Sequence, residues 1–283
     1  MTIFKAVPML VIFAVLAVNT YRVLPADVDV VFLDIGQGDS ILIESRSGTT
    51  VLIDGGPDRS VLEELGRELP WFDRTIEAMV PTHPDADHIT GLVEVARRYD
   101  VREIIWTRDE HTLPAYDELK RVVHEKGIHE IVIDHPQDVQ VRELQLKILA
   151  PPSPAYLATP DTNNGSIVIQ MNVDGSSFLF TGDMEAEVEK VVAEMYDVKS
   201  DVLKVGHHGS KTSSMQEFLQ EVDPDIAVIQ VGADNRYGHP HPSVLSRLTR
   251  LGIPVLRNDQ DGTVRCSISK NEMACEKAGV LKH

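Results

Sequence analysis

Basic residues are scarce in this sequence: 27 lysines and arginines stand against 44 aspartates and glutamates, a formal net charge of −17 over 283 residues. That balance excludes a protein coated in basic surface for passive nucleic-acid binding, but it leaves room for a local phosphate site. Cysteine is nearly absent too. Cys266 and Cys275, the only two, cannot build a disulfide scaffold or a cysteine-rich zinc site. If their segment is a hairpin turning at Lys270-Asn271, they fall opposite each other, which allows a cross-strand disulfide in an oxidising compartment. Two separate thiols fit the sequence equally well. Short-period repeats and low-complexity tracts are also missing.

Long apolar runs are confined to the N-terminus. Ala6 to Val18 is an unbroken run of 13 apolar residues after Lys5, short of the ~20 that cross a bilayer squarely. It fits the core of a signal peptide. Leu24-Pro25-Ala26 makes a poor cleavage site, whereas Ile3 to Leu24, with Lys5 and Arg22 at its edges, is long enough for a signal anchor. Residues 1–24 are therefore expected to be a signal peptide or membrane anchor, and the protein to be extracytoplasmic, membrane-anchored or secreted. The remainder, at 42% hydrophobic and 25% charged overall, has the composition of a globular domain.

Within 28–283, apolar patterning alternates between strand and helix periods. Val28 to Asp34, Ser40 to Glu44, Thr49 to Asp54, Ile76 to Val80 and Glu103 to Trp106 read as strands. Ser60 to Leu69, Ile89 to Tyr99 and Ala115 to Glu125 read as helices, and Asp134 to Pro136 as a turn. In the second half, strands are expected at Leu144 to Leu149, Ser166 to Val173, Ser177 to Phe180, Asp201 to Val205 and Ile226 to Val231. Helices are expected at Glu185 to Met195, Ser214 to Glu221 and Pro242 to Leu251, followed by final strands. Pro151 to Pro160 reads as a long loop. The order predicts an α/β domain of two packed sheets with helices outside.

Polar chemistry is concentrated at strand ends. Thr82-His83-Pro84-Asp85-Ala86-Asp87-His88 packs two imidazoles and two carboxylates into six residues after a strand, and both are ligand types for divalent metals. Phe178-Leu179-Phe180-Thr181-Gly182-Asp183 places one carboxylate at another strand end. Val202-Leu203-Lys204-Val205-Gly206-His207-His208-Gly209-Ser210 adds two histidines. Six of the 11 histidines fall in the pairs 83/88, 207/208 and 239/241, so the three loops are read as one site.

The order Leu52-Ile53-Asp54-Gly55-Gly56, His83-x-Asp85-x-Asp87-His88, Gly182-Asp183 and His207-His208-Gly209-Ser210 resembles the metallo-β-lactamase fold superfamily. Three features resemble more closely the hydrolase domain of ComEC-type DNA-uptake competence proteins. They are Leu33-Asp34-Ile35-Gly36-Gln37-Gly38-Asp39-Ser40, the aspartate at the second histidine position of HxHxDH, and Asn235-Arg236-Tyr237-Gly238-His239-Pro240. The likeness covers about residues 28 to 260 and implies a single-domain αββα four-layer sandwich with two metals at one edge.

Residue by residue, the resemblance implies that His83 and Asp85 hold one ion. Asp87, His88 and one histidine of the pair His207/His208 hold the other, and Asp183 bridges them. Asp54 is implied to orient a ligand and the metal-bound water, so that Asp54, Asp87, Asp183 and His239 form the catalytic set, with His239 a proton donor. Ser210, Lys211, Thr212, Asn235, Arg236 and His239 are expected to contact substrate. Asp34, Asp39, Asn163 and Asn164 are expected to support the ligands, Asp34 and Asp39 alternatively as turn formers. Asp85 replaces a histidine, and no histidine occurs between 136 and 206, where Asn163-Asn164-Gly165-Ser166 stands instead. The first site is thus oxygen-rich, which favours manganese or magnesium there and keeps zinc for the second.

The function this implies is a metal-dependent phosphodiesterase or nuclease acting on DNA or another phosphodiester, in DNA uptake or degradation, either as a stand-alone homologue or as a separately encoded partner of a membrane DNA channel. Two alternatives share the scaffold: a hydrolase of small or cell-surface phosphodiesters, for which no aromatic choline cage is visible, and a non-catalytic DNA- or partner-binding accessory.

Overall fold

A computed structural model describes residues 28–107, 111–158, 162–270 and 272–278. The N-terminal apolar run, with its reading as signal or anchor, lies outside them. No helix among the described residues is long and apolar enough to cross a membrane.

The first half runs β1 (Val28–Phe32), β2 (Ile41–Ser45), β3 (Thr50–Ile53), α1 (Ser60–Glu68), β4 (Thr75–Val80), α2 (Ala86–Arg98), β5 (Asp100–Trp106), α3 (Pro114–Lys126) and β6 (His129–Val132). The second runs β7 (Gln137–Val141), β8 (Leu144–Ala150), β9 (Val168–Val173), β10 (Ser176–Phe180), α4 (Ala186–Met195), β11 (Val202–Lys204), α5 (Gln216–Val222), β12 (Ile226–Ile229), α6 (Pro242–Leu251) and β13 (Val255–Arg257). A short α7 (Asn258–Asp261) then leads to β14 (Val264–Ser269) and β15 (Glu272–Lys277).

Two sheets result, with strand orders β15-β14-β1-β2-β3-β4-β5-β6 and β13-β12-β11-β10-β9-β8-β7. Each begins as an antiparallel meander and becomes parallel, from β3 to β6 in one and from β10 to β13 in the other. Parallel neighbours need a crossover, and helices supply it. The turn at Asp134 to Pro136 is where the chain leaves the first sheet for the second.

Side-chain alternation produces the layers. Val28, Val30 and Phe32 of β1 face the other sheet, in a core shared with Phe178 and Phe180, while Val31 and Leu33 face α1 and α2 with Leu65 and Leu92. Leu179, Leu203 and Ile229 of the second sheet pack likewise against Val188, Leu219 and Leu248 of its helices. The chain is thus an αββα sandwich, as the resemblance implied.

The structure departs from the sequence reading in a few places. α2 starts at Ala86, so Asp87 and His88 lie in a helical first turn rather than a loop. β6 and β7 went unread, because Gln137-Asp138-Val139-Gln140-Val141 buries only its two valines. The 151–160 loop contains a short 3-10 turn, Pro154–Ala158. β14 and β15 pair with Cys266 opposite Cys275, and the two are joined in a disulfide, which settles the alternative left open above.

Two helical glycines give contrasting tests. A Cβ on Gly91 of α2 would stand 1.9 Å from the Gly55 carbonyl oxygen, whereas one on Gly66 of α1 would meet nothing within 4 Å. Gly91→Ala should therefore destabilise the protein by about 1–3 kcal/mol through overpacking. Gly66→Ala should stabilise it by about 0.5–1 kcal/mol through helix propensity. Denaturant unfolding of both variants checks the pair, and equal effects would contradict this packing.

Candidate metal centre

The residues of interest sit where parallel strands end. Asp54 follows β3, His83 follows β4, Asp183 follows β10, His207 and His208 follow β11, and the 232–240 loop follows β12. In open α/β sheets, ligands bind at these carboxyl ends, and packing the two sheets face to face brings both sets of ends to one edge. Close approach of the chain helps. Gly38, at φ 136°, lies so near α2 that a Cβ there would be 2.1 Å from the Asp87 carbonyl oxygen.

Each central imidazole has one nitrogen fixed and the other bare. His88 Nδ1 is 2.8 Å from Asp54 Oδ2, His208 Nδ1 is 3.0 Å from the Gln230 carbonyl oxygen, and His83 Nδ1 is 3.0 Å from Thr82 Oγ1. Their Nε2 atoms are buried without a hydrogen-bond partner, as is Asp183 Oδ1. Those atoms converge: Asp183 Oδ2 is 3.3 Å from His88 Nε2 and 3.4 Å from His208 Nε2, and Asp87 Oδ2 is 3.4 Å from His208 Nε2. The sets His83/His88/Asp183 and Asp87/His88/His208 each place ligand atoms within 4.8 Å of one another. Rings pinned through one nitrogen with the second facing a carboxylate cluster have the form of metal ligands held by outer hydrogen bonds. The donor set fits divalent cations.

Electrostatics point the same way. Burial opposes charge on His88 and His208, yet Asp183, with Asp54 and Asp39 respectively, draws both imidazoles well above the usual histidine range. Burial likewise opposes ionisation of Asp183, but His208 and His88 hold it well below the usual carboxylate range. Around Asp183 the carboxylates thus favour positive charge on His88 and His208, whereas burial and neighbouring His88 hold His83 below the usual histidine range.

The sequence reading missed Lys204. Its ammonium is fully buried, ion-paired with Asp39, 3.7 Å from Asp183 Oδ1, and donates to the Gly182 carbonyl at 2.9 Å. A lysine inside the apolar run Val202-Leu203-Lys204-Val205 was the available signal. Asp39 also lies 3.2 Å from His208 Nδ1, so it belongs to the support of the site. Asp54 accepts from Thr82 N and Thr82 Oγ1, both at 2.8 Å, as well as facing His88.

Other expected residues are placed less centrally. Of the histidine pair, His208 is buried at the centre, while His207 is partly exposed, with Nε2 3.7 Å from Asp183 Oδ2 and Nδ1 3.3 Å from Glu185 Oε1. Asp85 is half-exposed, 3.8 Å from His83 Nε2, and accepts from Thr162 Oγ1. Asn163 Nδ2 lies 3.5 Å from His207 Nδ1, and Asn164 Oδ1 accepts from Glu185 N. Ser210 and Thr212 share a hydroxyl contact, with Thr212 donating to Glu185, while Lys211 and Arg236 are exposed at the rim.

Three further residues of the expected set have distinct surroundings. Asp34 is exposed and its carboxylate accepts from Gly36 N, so it shapes the glycine turn, the second of its two expected roles. The Asn235 amide bonds to Gly232 O, His239 O and His239 N, so it braces its own loop and is not directed at a substrate. Burial, together with His207 and His208, lowers the His239 imidazole to about 4.

Fold and donor set together define a hydrolase scaffold with a histidine–aspartate cluster suited to divalent metals. The Metallo-beta-lactamase superfamily profile matches residues 33–232, and the chain belongs to that superfamily. It is 34% identical over 263 residues to ComE operon protein 3 of Bacillus subtilis (strain 168), covering 87% of this chain and 34% of that protein. Recombination protein 2 of Haemophilus influenzae (strain ATCC 51907 / DSM 11121 / KW20 / Rd) is 33% identical over 251 residues, covering 87% and 29%. The chain thus spans about a third of the length of the curated relatives it matches. Among solved structures, the fold is shared with the metallo-beta-lactamase fold protein YhfI from Bacillus subtilis. That likeness has a TM-score of 0.57 at 12% identity, covering 82% of this chain and 96% of that one.

Two substitutions test the centre. Asp54→Asn removes the charge that orients His88 and should weaken divalent-metal binding about 10- to 100-fold, read by calorimetry on a protein whose fold is unchanged by circular dichroism. Lys204→Met leaves Asp39 as a buried carboxylate without its cation and should cost about 3–5 kcal/mol of stability. Adding Asp39→Asn to it should recover much of that loss in the same unfolding experiment.

Proposed function

We propose that this chain is a metal-dependent phosphodiesterase acting on DNA outside the cytoplasmic membrane, to which its N-terminal segment tethers it. The observation that carries the reading is the convergence of three bare Nε2 atoms with Asp87 and Asp183, followed in the chain by the buried Ser210 hydroxyl and the exposed Lys211, with Arg236 exposed on the 232–240 loop. The likeness to proteins named for competence and recombination supports DNA as the substrate.

In this reading His83 and Asp85 would hold one divalent ion and Asp87, His88 and His208 the other, with Asp183 beside both sets of side chains. When bound, such ions supply Lewis acidity toward a phosphoryl oxygen and make water a nucleophile at neutral pH. The chain's own residues do the remainder. Asp54 fixes the orientation of His88, and Lys204 and Asp39 hold the buried wall against which Asp183 and His208 are set. Ser210 and the exposed Lys211 and Arg236 grip the phosphate. His239, beside His207 with ring centroids 5.7 Å apart, is placed to hydrogen-bond the leaving oxygen and pass it a proton. With Asp85 in place of a nitrogen ligand, the first site is the harder one and suits manganese.

Hydrolysis of single-stranded DNA, duplex DNA, RNA and a small chromogenic diester, with manganese and with zinc, tests the reading. DNA cleavage should require added metal, stop with a chelator and fall to background in Asp87→Ala. Tight metal binding without turnover of any diester would sink it in favour of a binding role.

A further inference from the structure

The end of the sandwich opposite the metal centre carries two exposed aromatic side chains on one turn. Pro70-Trp71-Phe72-Asp73 is closed by a 2.8 Å hydrogen bond from Asp73 N to the Pro70 carbonyl, and the Asp73 carboxylate accepts from Thr75 N at 3.0 Å. The turn is therefore fixed, and its two tip residues point outward. Trp71 is 86% exposed and Phe72 72%, with their rings edge to face at 5.7 Å. Isolated exposed hydrophobics are ordinary, but two large aromatics held at the tip of a braced turn form a contact surface.

The position of the turn identifies what covers it. The chain enters the fold at Val28, the first residue of β1, and Val28 pairs with Ser45 at the end of β2. Neighbouring Glu44 is opposite Thr50, and Thr50 Oγ1 donates to the Thr75 carbonyl, just past the turn. The carboxyls of Asp29 and Asp73 lie close enough to Glu44 to help burial push it up to about 7. The aromatic turn and the entry point thus share one end of the first sheet. Ahead of that entry stand 27 residues that include the 13-residue apolar run. From the turn, β4 leads directly to His83, and its six residues span about 20 Å.

We propose that Trp71 and Phe72 dock on the lipid bilayer entered by the N-terminal segment, seated at the headgroup level where tryptophan is favoured. The domain then has a fixed orientation, with the turn against the lipid and the metal centre facing away from it into water. This rests on the membrane reading of residues 1–27, and it does not depend on the substrate.

The chain has two tryptophans, and the other, Trp106, is 2% exposed in the core, so the difference between wild type and Trp71→Ser isolates the Trp71 emission. The test reconstitutes the full chain in phosphatidylcholine vesicles, with and without bromine on the acyl chains near the headgroups, and compares it with Trp71→Ser. Flotation with the vesicles reads the N-terminal segment separately. The expected result is flotation of both proteins, with a blue shift of the Trp71 emission and loss of most of it to brominated lipid. A protein that floats while Trp71 stays red-shifted and unquenched would overturn the docking and leave the anchor standing. Shielding of Trp71 from aqueous quencher without quenching by brominated lipid would also overturn it, assigning the surface to a protein partner or the N-terminal segment. Failure to float would overturn both.

Discussion

Burying three carboxylates side by side is the constraint on which this end of the molecule depends. Asp39, Asp54 and Asp183 are almost wholly out of water, where an unpaired charge is strongly unfavourable. Each is compensated differently. Asp54 takes two hydrogen bonds from Thr82 and faces His88, and Asp39 takes the Lys204 ammonium and lies beside His208. Asp183 keeps one oxygen bare and has the other turned toward three imidazoles. Asp183 thus stands at the centre, with Lys204 3.7 Å from one oxygen and imidazoles around the other, where a divalent cation would add to the charge balance.

The backbone is bent to achieve this. Asp54, His207 and His208 adopt φ values of 57°, 47° and 51°, in a region that residues other than glycine seldom occupy. All three stand just beyond strands, and the left-handed turn redirects the chain where it would otherwise run on in line with the sheet. In His207 and His208 two successive residues do so, which separates their roles: one ring is buried against Gln230 and Asp87, the other lies outward against Glu185. Such strain at a cluster of bare ligand atoms is consistent with a site built for binding rather than for stability.

This also explains what could be read from the sequence. The clustered residues of His83 to His88, Gly182-Asp183 and the histidine pair announce themselves by residue type and by their place at the ends of apolar runs. The choice between His207 and His208 was not legible, because it depends on consecutive left-handed residues. Asp34 and Asp39 look alike around their glycines, yet only Asp39 meets a lysine 165 positions later in the chain. β7 is a strand through pairing rather than propensity, since its outward face is polar. The alternating layers, by contrast, follow from period-two burial and were visible throughout.

Charge sets the last constraint. Acidic excess is concentrated in residues 27–198, at −20, while residues 199–283 carry +1. Over most of its surface the protein therefore repels a polyanion, and long-range steering cannot supply the association rate that basic clefts provide. On the proposed reading, that loss is offset locally and by position. The near-neutral segment carries Ser210, Lys211 and Arg236, so one phosphodiester meets hydrogen-bond donors and cations only at the rim. Tethering replaces steering: a catalyst held at the membrane, with its metal centre facing away from the bilayer, encounters a strand delivered there at high effective concentration. An acidic body then becomes useful, because it holds no DNA except at the centre and releases the cleaved ends.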